Sequence, residues 1–340
     1  MKQSSKVTLQ DIADKVNVTK GLVSLALNGK YGVSDKMRNK ILLAAAELGY
    51  NINKTKYFLK NMKRTSLLVS GQELASQSFW HQIISGIESY AYDNDIVLNF
   101  INIEADEDSF EIVSNVLESD TSGVIALGDL SNDAVAKLWE NTIHLVLIDS
   151  KHCFDSSIDQ VRVNNFDGGY IAARYCVEKG HKDLLFLGDI RYARSFRERY
   201  DGFRAYLDEE AEWVTCRYAV SEGRDNSKGI FCVSELESRL DERLPSLIMC
   251  ANDATAVMLY DILKVRGLSI PNDISVMSFD NSVDSDRLDP PLTGVEFSKT
   301  ALGEEACRLL EARKKRSRDE SVMILLPVQI KEKKSVRELK

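Results

Sequence analysis

Apolar positions in the first fifty residues recur at helical spacing in three short segments. The first opens with Thr8-Leu9-Gln10-Asp11, which has the form of a capping box, the second begins at Thr19 after a break at Asn17, and the third runs from Ser34 to Gly49. Two short helices joined by a tight turn and followed by a third predict a helix-turn-helix. Since any small helical bundle has a similar pattern, the periodicity alone leaves both structures open.

From Ser66 onward the pattern changes to short apolar runs that alternate with amphipathic helical segments. Continuously apolar runs are typical of parallel strands that are covered on both faces. The pattern therefore predicts an α/β body of two doubly wound lobes behind an all-α head. We expect the head at residues 1–50, a linker at 51–65 and the two-lobed body at 66–335. The predicted strands are 67–69, 96–98, 124–127 and 145–148 in one lobe, and 184–187, 247–250 and 274–277 in the other.

Charge divides the chain at the same place. The whole chain has a net charge of −8, which taken alone argues against a nucleic-acid partner. Residues 1–65, however, hold thirteen Lys and Arg against four Asp and Glu, so the head carries +9 and the remainder −17. A basic head on an acidic body is expected of a DNA-reading module joined to a domain that touches no phosphate. A solvated basic tail is the alternative explanation of the charge.

Several classes of protein are disfavoured by motifs that the sequence lacks. There is no Walker loop, no GxGxxG after a strand, no HExxH and no GxSxG, and the four histidines lack metal-ligand spacing. We therefore expect no catalysis, no metal site and no cofactor. The six cysteines show no CxxC spacing, which favours buried thiols in a reducing compartment. Because the chain also lacks a signal core and an apolar run of membrane-spanning length, we expect a cytoplasmic protein with no membrane partner.

Short motifs span the head: Thr8-Leu9-Gln10-Asp11-Ile12-Ala13, Val18-Thr19, Val23-Ser24, Leu27-Asn28-Gly29, Val33-Ser34 and Ala46-Glu47-Leu48-Gly49-Tyr50. Together they closely resemble the lactose/galactose repressor (LacI/GalR) family of transcription regulators. The resemblance implies that the second helix lies in the major groove of DNA, with its early residues facing base edges. The DNA-contacting positions that it implies are Thr8, Thr19, Lys20, Gly21, Ser24, Leu25, Asn28 and, in the linker, Leu59.

Two positions of the second helix depart from the family pattern, which commonly has a Thr at Leu22 and an Arg at Leu25. Leu25 cannot make a bidentate contact to guanine, so we predict van der Waals contact with a thymine methyl. Inward packing of Leu25 is the alternative. Lys20 is the best remaining polar candidate for a base contact, although a Lys there contacts phosphate about as often as base.

The basic segment 51–64 has no strong apolar face of its own. Such a segment can stay loose in the free protein and become helical against DNA. In the family this stretch is a hinge helix whose leucine wedges into the central minor groove, and Leu59 occupies the matching position. Ile52 and Lys56 replace the family's usual Pro and Ala, which puts close hinge-to-hinge packing in question. A flexible tether is the alternative.

Polar residues follow directly after three predicted strands of the body, at Asp149, Asn252-Asp253 and Asp280-Asn281. In doubly wound sheets ligands bind beyond the carboxyl ends of the strands, so these residues form a candidate site. Carboxylates and amides at rigid strand ends suit the vicinal hydroxyls of a sugar. Each residue alternatively caps the following helix, and capping is the interpretation that we favour for Asp253.

The likeness to the LacI/GalR family continues through the body, at 163–169, Gly180-His181, 195–203, 251–253, 271–276, Phe279-Asp280 and 289–293. It implies two periplasmic-binding-protein-like lobes and effector contacts by Arg199, Asn252 and Asp280, with Asp149 on the facing lobe. Arg199 and Asp280 are also expected to pair with each other.

Three other sets of residues in the body are candidates whose role the sequence leaves open or explains by local structure. Arg197 either contacts the effector or forms a surface or lobe-interface salt bridge. Phe79-Trp80 fall where the family places aromatic pocket residues, and they either stack on a sugar face or pack in the core. Asp167-Gly168-Gly169 lie at a helix start, where a tight turn explains the glycines.

The sequence thus predicts a homodimeric transcription regulator, a repressor, that binds a palindromic DNA operator and responds to a small-molecule effector, a sugar. In the family, closure of the lobes on the effector couples its affinity reciprocally to DNA affinity. The short tail after Ile330 lacks a leucine heptad, which favours a dimer over a tetramer. The alternative is a cytosolic sugar-binding sensor without operator binding, which the basic head opposes.

Overall fold

The computed structural model describes residues 7–27, 32–48, 50, 63–70, 77–103, 107–128, 130–141, 144–150, 158–191, 193–219, 233–315 and 320–339. The chain divides into two compact units. The first comprises Met1–Lys63 with Asp95–Val97, and the second comprises Arg64–Asn94 with Leu98–Lys340.

The first unit contains three helices, α1 (Leu9–Val16), α2 (Lys20–Leu27) and α3 (Asp35–Glu47). The Thr8 hydroxyl accepts a hydrogen bond from the Asp11 backbone N–H at 3.4 Å, and the Asp11 carboxylate accepts one from the Thr8 backbone N–H at 2.7 Å. This is the predicted capping box, and the helix-turn-helix is confirmed. The buried faces of the helices form one core of Ile12, Ala13, Val16, Val23, Ala26, Leu27, Ile41, Ala44 and Ala45.

The second unit contains two lobes, each built on a six-stranded sheet. The N-lobe strands are β1 (Lys63–Ser70), β2 (Ile96–Ile103), β3 (Val124–Leu127), β4 (Leu145–Ile148), β5 (Asp159–Val163) and β11 (Met323–Leu326), in the spatial order β11-β5-β4-β3-β1-β2. Its helices are α4 (Gln77–Asp93), α5 (Ser109–Glu118), α6 (Asn132–Glu140) and α12 (Lys299–Lys315).

The second sheet belongs to the C-lobe. Its strands are β6 (Asp183–Leu187), β7 (Thr215–Ala219), β8 (Leu247–Cys250), β9 (Ser275–Asp280), β10 (Thr293–Glu296) and β12 (Gln329–Lys331), in the order β12-β10-β9-β8-β6-β7. Its helices are α7 (Asn165–Glu178), α8 (Arg194–Glu210), α9 (Val233–Glu242), α10 (Asp253–Val265) and α11 (Val283–Arg287). The pairings whose register is described are parallel, apart from the antiparallel pair of β10 and β12. The predicted doubly wound α/β lobes are therefore confirmed.

All seven predicted strands are present, and the described residues contain five further strands that the prediction does not include. Strand β11 is continuously apolar and is overlooked, whereas β5, β7, β10 and β12 have no continuous apolar run. Strand β5 is an example, because it buries the polar residues Asp159, Gln160 and Arg162. The start of the body also differs from the prediction. Strand β1 begins at Lys63, so residues 63–65 belong to the sheet rather than to the expected linker.

The chain passes between the lobes three times, from β5 to α7, from β10 to α12 and from β11 to β12. Strands β5 and β11 run parallel in one sheet, and β10 runs parallel to β9 in the other. The carboxyl ends of both parallel sheets therefore adjoin the boundary between the lobes. This is the edge at which doubly wound sheets bind ligands.

Helices α7 and α8 of the C-lobe pack closely because glycines lie at their contact. A Cβ on Gly169 would lie 2.0 Å from the Arg199 carbonyl oxygen, and one on Gly202 would lie 1.9 Å from the Phe166 carbonyl oxygen. The tight-turn explanation of Gly168 and Gly169 is therefore wrong, since both residues lie inside α7. The absence of side chains here lets the two backbones approach, and it fixes the position of Arg199 on α8.

Candidate functional site

Arg199 lies at the centre of a buried polar cluster in the C-lobe. Its side chain is 3% exposed, Nε donates to Asn165 Oδ1 at 3.0 Å, and Nη1 donates to the Ala251 carbonyl oxygen at 2.7 Å. Nη2 lies 3.1 Å from Asp280 Oδ1, which is the ion pair expected from the sequence. The guanidinium carbon also lies 3.8 Å from the ring centroid of Phe279. These contacts hold the planar guanidinium in one orientation.

Asp280 ends β9 in a backbone conformation that L-residues rarely adopt. Its φ is +106° and that of Asn281 is +48°, and such residues cluster at functional sites. The Asp280 side chain is 9% exposed, and within the described residues its Oδ1 makes no hydrogen bond, although Arg199 lies at ion-pair distance. Burial raises the pKa of Asp280 to about 7, against the opposing attraction of Arg199. Asp280 thus presents a buried acceptor at the carboxyl end of the sheet.

Helix α10 begins with Asn252 as its N-cap. The Asn252 Oδ1 accepts from the Thr255 backbone N–H at 3.0 Å and from the Thr255 hydroxyl at 2.7 Å. The favoured capping role of Asp253 is wrong, because Asp253 is the next residue and is buried. Its carboxylate accepts hydrogen bonds from the Ser278 hydroxyl and, at 2.5 Å, from the Ser282 backbone N–H. These bonds tie α10 to the end of β9, beside Asp280.

Lys299 is a buried charged residue that the sequence pattern does not reveal. It is the first residue of α12 and is 4% exposed. Its Nζ donates to the Asp280 carbonyl oxygen, lies 3.5 Å from the Asn281 carbonyl oxygen and lies 4.7 Å from the ring centroid of Phe297. Helix α12 packs against α4 and against strands β3, β4 and β5. The Lys299 contact therefore joins the N-lobe to the end of a C-lobe strand.

Asp149 acts on the same cluster from the N-lobe. It follows β4 with a φ of +49° and is half-buried. Burial is the main cause of the raised pKa of Asp280, and the negative charge of Asp149 adds to it. Carboxylates of both lobes therefore interact across the boundary, and the structure brings Asp149, Arg199, Asn252 and Asp280 to one edge as expected.

Aromatic rings line the same region. The Phe79 ring centroid lies 6.1 Å from that of Phe297, which in turn lies 6.4 Å from that of Phe279. This row of rings leads from α4 of the N-lobe to Arg199. Trp80 is 6% exposed and belongs to the hydrophobic core, as do Phe279 and Phe297. The structure thus places Phe79 beside the polar cluster and Trp80 in the core.

Arg197 is not brought into the cluster. It is exposed on α8, and the two positions that separate it from Arg199 correspond to a rotation of about 200° around a helix. The residue between them, Glu198, makes a contact between the lobes instead. It accepts from Arg162 Nη2 on β5 at 2.6 Å and from Arg194 Nε at 2.8 Å.

In the first unit, α2 separates a buried face from a more exposed one. Val23, Ala26 and Leu27 are buried, Lys20 and Gly21 are exposed, and Ser24 and Leu25 are half-buried. Among the described residues, Leu25 is not one of those that form the core of this unit or pack against it.

Two other candidate DNA-contacting residues cap helices. The hydroxyl of Thr8 takes part in the capping box of α1, and that of Thr19 accepts from the Leu22 backbone N–H at 3.2 Å. Both side chains are on the exposed surface of this unit. Asn28 and Leu59 lie outside the described residues.

The described residues offer no group of three or more His, Cys, Asp or Glu arranged to hold a metal ion. Among the described helices, none has both the length and the hydrophobicity to cross a membrane. Cys176, Cys216, Cys250 and Cys307 are free thiols. The charged groups of the polar cluster are carboxylates, a guanidinium group and an ammonium group, which can hydrogen-bond to a ligand.

Two family models match the chain. The model described as "Bacterial regulatory proteins, lacI family" matches residues 8–53, and the model described as "Periplasmic binding protein-like domain" matches residues 173–336. The first range contains α1 to α3, and the second contains Arg199, Asn252, Asp280 and Lys299.

Curated relatives match almost the whole chain. The HTH-type transcriptional repressor PurR of Pasteurella multocida is 25% identical, and the match covers 97% of this chain and 98% of that one. Catabolite control protein A of Priestia megaterium is 27% identical, with coverage of 97% and 99%. The relatives are thus similar over both the head and the body.

Solved structures share the fold. The lac repressor dimer bound to operator and the anti-inducer ONPF has a TM-score of 0.74 at 25% identity and covers 98% of this chain and 100% of that one. The transcriptional regulator CelR in complex with cellobiose has a TM-score of 0.70 at 22% identity, with coverage of 97% and 99%. A LacI family regulator from Enterococcus faecium with bound ribose has a TM-score of 0.69 at 22% identity and covers 82% of this chain and 100% of that one.

Proposed function

Because this chain belongs to the lacI family of bacterial regulatory proteins, we propose that it is a DNA-binding transcription repressor controlled by a small neutral sugar. The head binds a palindromic operator, and a homodimer presents two heads to its two half-sites. The body binds the sugar at the boundary between the lobes. The protein acts in the cytoplasm as a regulator rather than as an enzyme.

One observation carries the effector proposal. Asp280 Oδ1 is a buried carboxylate oxygen without a hydrogen bond among the described residues, at the strand edge where doubly wound sheets bind ligands. Arg199 Nη2 already lies 3.1 Å from this oxygen as an ion pair, and a further donor that hydrogen-bonds to the buried carboxylate would stabilise it more. A hydroxyl group of a bound sugar supplies such a donor, and the half-buried ring of Phe79 supplies an apolar surface for a sugar face.

The charges of the site favour a neutral effector over a phosphorylated one. Arg199 is already engaged by Asn165, the Ala251 carbonyl and Asp280. The Lys299 ammonium group is directed to backbone carbonyl oxygens. The acceptors of the site include the carboxylates of Asp149 and Asp280, which repel an anion and accept from hydroxyls. We therefore expect a donor-rich ligand without a phosphate group.

The proposed DNA-reading surface is the exposed face of α2. Lys20 reaches a phosphate or a base edge, Ser24 reaches a base edge, and Leu25 contacts a thymine methyl group. The basic charge of the first 65 residues supports this orientation, since phosphate neutralisation supplies much of the affinity for DNA. Leu59 in the linker is proposed to enter the minor groove.

Thermal unfolding of the full chain against a ligand panel tests the effector proposal. The panel holds neutral monosaccharides and disaccharides, the corresponding sugar phosphates, and purine bases. We expect a neutral sugar to raise the melting temperature, because a ligand at about 100 times its Kd stabilises the folded state by about 2.7 kcal/mol. Arg199→Ala and Asp280→Asn should abolish this rise.

Arg204→Ala is the matched control, because Arg204 lies on the same helix and pairs with Asp208 on its exposed surface. It should keep the sugar response. Stabilisation by sugar phosphates or purines alone, or an equal response of the Arg199→Ala variant and the wild-type chain, would contradict the assignment of the site.

A further inference from the structure

Lys299 occupies an unusual place between the lobes. It is the first residue after the second crossover, and its helix packs in the N-lobe. Its ammonium group nevertheless contacts the carbonyl oxygens of Asp280 and Asn281, at the end of a C-lobe strand. Burial of an ammonium group is costly unless hydrogen bonds and opposite charge compensate it. The compensation here comes from the backbone that carries the effector carboxylate.

The backbone at this point needs support. Asp280 has a φ of +106°, which L-residues adopt only where the surroundings hold them, and Asn281 follows in the left-handed region at +48°. On one side, Lys299 Nζ donates hydrogen bonds to the carbonyl oxygens of both residues. From the other side, Asp253 accepts from the backbone N–H of Ser282 at 2.5 Å. The strained turn after β9 is therefore held between an N-lobe cation and a C-lobe carboxylate.

We propose that Lys299 is a positioning residue of the effector site, which fixes the turn at Asp280 from the N-lobe and keeps the Asp280 carboxylate directed and charged. The proposal rests on the effector function assigned above. Lys299 does not itself need to touch the sugar. Its contact also makes the position of the effector carboxylate depend on the placement of the N-lobe.

Four charged groups, carried by four different parts of the chain, act on the Asp280 carboxylate. Arg199 on α8 and Lys299 on α12 are positive, whereas Asp253 on α10 and Asp149 after β4 are negative. Burial is the largest influence, and it raises the pKa of Asp280 to about 7. Lys299 opposes that rise, so its removal should shift the titration of Asp280 further upward.

The titration of Asp280 tests this role directly and without any sugar. The full chain is labelled with ¹³C at the aspartate carboxyl carbons, and the Asp280 signal is identified by its loss in Asp280→Asn. In the wild-type chain the signal should titrate near pH 7. In Lys299→Met the midpoint should rise by about one pH unit or more, which is about a tenfold change in proton affinity.

Lys314→Met is the matched control, since Lys314 lies on the same helix and pairs with Glu311. It should leave the Asp280 midpoint unchanged, and Lys299→Arg should restore a midpoint close to that of the wild-type chain. Lys299→Gln replaces Lys299→Met if the methionine variant does not fold. An unchanged midpoint in the neutral variant, or an equal rise in Lys314→Met, would overturn the proposal.

A binding measurement separates this proposal from the proposed function. D-ribose, D-glucose and cellobiose are titrated against the full chain at pH 7 by calorimetry. For a sugar that binds, Lys299→Met should weaken binding at least tenfold, and Lys314→Met should not. Undiminished affinity in Lys299→Met would refute the positioning role. If these sugars and the wider panel all fail to bind the wild-type chain, the sugar-effector proposal fails, while the carboxyl titration still decides whether Lys299 positions Asp280.

Discussion

Glu198→Ala removes the carboxylate that contacts the buried guanidinium group of Arg162. The Arg162 side chain is 3% exposed and that of Glu198 is 23% exposed, and the hydrogen bond between Arg162 Nη2 and Glu198 Oε2 is 2.6 Å long. Burial alone would raise the pKa of Glu198, but the hydrogen bonds and charges of Arg162 and Arg194 hold that pKa below its usual value. The carboxylate is therefore charged at neutral pH, and the ion pair joins β5 of the N-lobe to α8 of the C-lobe.

The expected cost follows from this burial. Loss of one partner of a buried ion pair leaves an uncompensated charge, which typically costs about 3–5 kcal/mol. Because Glu198 is partly exposed, water can reach the space that its carboxylate leaves, so we expect a value near the lower end, about 3 kcal/mol. At roughly 2–4 °C per kcal/mol for a domain of this size, the melting temperature should fall by about 6–12 °C.

Urea unfolding of the wild-type chain and three variants measures this cost. Arg194→Ala breaks an exposed pair of the same carboxylate and should cost only about 0.3–0.5 kcal/mol. The double variant Arg162→Met with Glu198→Ala should be more stable than Glu198→Ala alone, because it removes the stranded charge. A cost below about 1 kcal/mol for Glu198→Ala, or a double variant less stable than the single one, would refute the reasoning.

Three further predictions concern packing, titration and DNA reading. Gly202→Ala should cost about 1–3 kcal/mol in urea unfolding, because its Cβ would lie 1.9 Å from the Phe166 carbonyl oxygen. The control Gly21→Ala should not destabilise, because its new Cβ would lie 4.0 Å from Thr19 Oγ1, which is an ordinary contact. Burial raises the pKa of Asp280 to about 7, above its value in the unfolded chain, so between about pH 4 and pH 7 the folded state binds more protons than the unfolded state. The contribution of Asp280 to the free energy of unfolding should therefore fall as pH rises from about 4 to about 7. Burial lowers the pKa of His181 to about 4, which makes stability rise with pH and opposes the effect of Asp280. The difference in stability between wild type and Asp280→Asn, measured across this pH range, isolates the effect of the Asp280 carboxyl group, and equal pH profiles of the two would contradict the raised pKa of Asp280. A binding-site selection should return thymine at the step read by Leu25, and a strict guanine there would exclude the methyl contact.

The architecture follows from patterns that are local in the sequence. Continuously apolar runs are visible because strands of a covered parallel sheet face apolar neighbours on both sides. Strand β5 lacks this signal, since Asp159, Gln160 and Arg162 are buried there through partners far along the chain. Arg162 is neutralised by Glu198, and Asp159 accepts from the Val322 backbone N–H at 2.7 Å. Such compensation cannot be read from neighbouring residues.

The candidate site likewise contains residues that the sequence predicts and residues that it does not. Arg199, Asn252 and Asp280 are predictable because polar residues directly after apolar strands mark the ligand-binding edge, and because of the family motifs around them. Lys299 is not, since a lysine at a helix start is usually solvated and only the crossover after β10 brings it to Asp280. For Asp253, the predicted helix N-cap is one residue too far along the chain. Aspartate is a good N-cap, but Asn252 takes that position and leaves Asp253 buried.

The central claim is that the head reads DNA under control of the body. A filter-binding titration of the full chain against its selected palindromic operator tests this claim most directly. The titration is run at rising salt concentrations, with and without the stabilising sugar. Operator affinity should fall about 10³-fold or more between 50 and 200 mM salt, as expected for six or more phosphate contacts. The sugar should change the affinity about fivefold or more, and Arg199→Ala should remove that response while it leaves operator binding intact. Absent or salt-insensitive binding to every palindrome, or an unaltered sugar response in Arg199→Ala, would contradict the account.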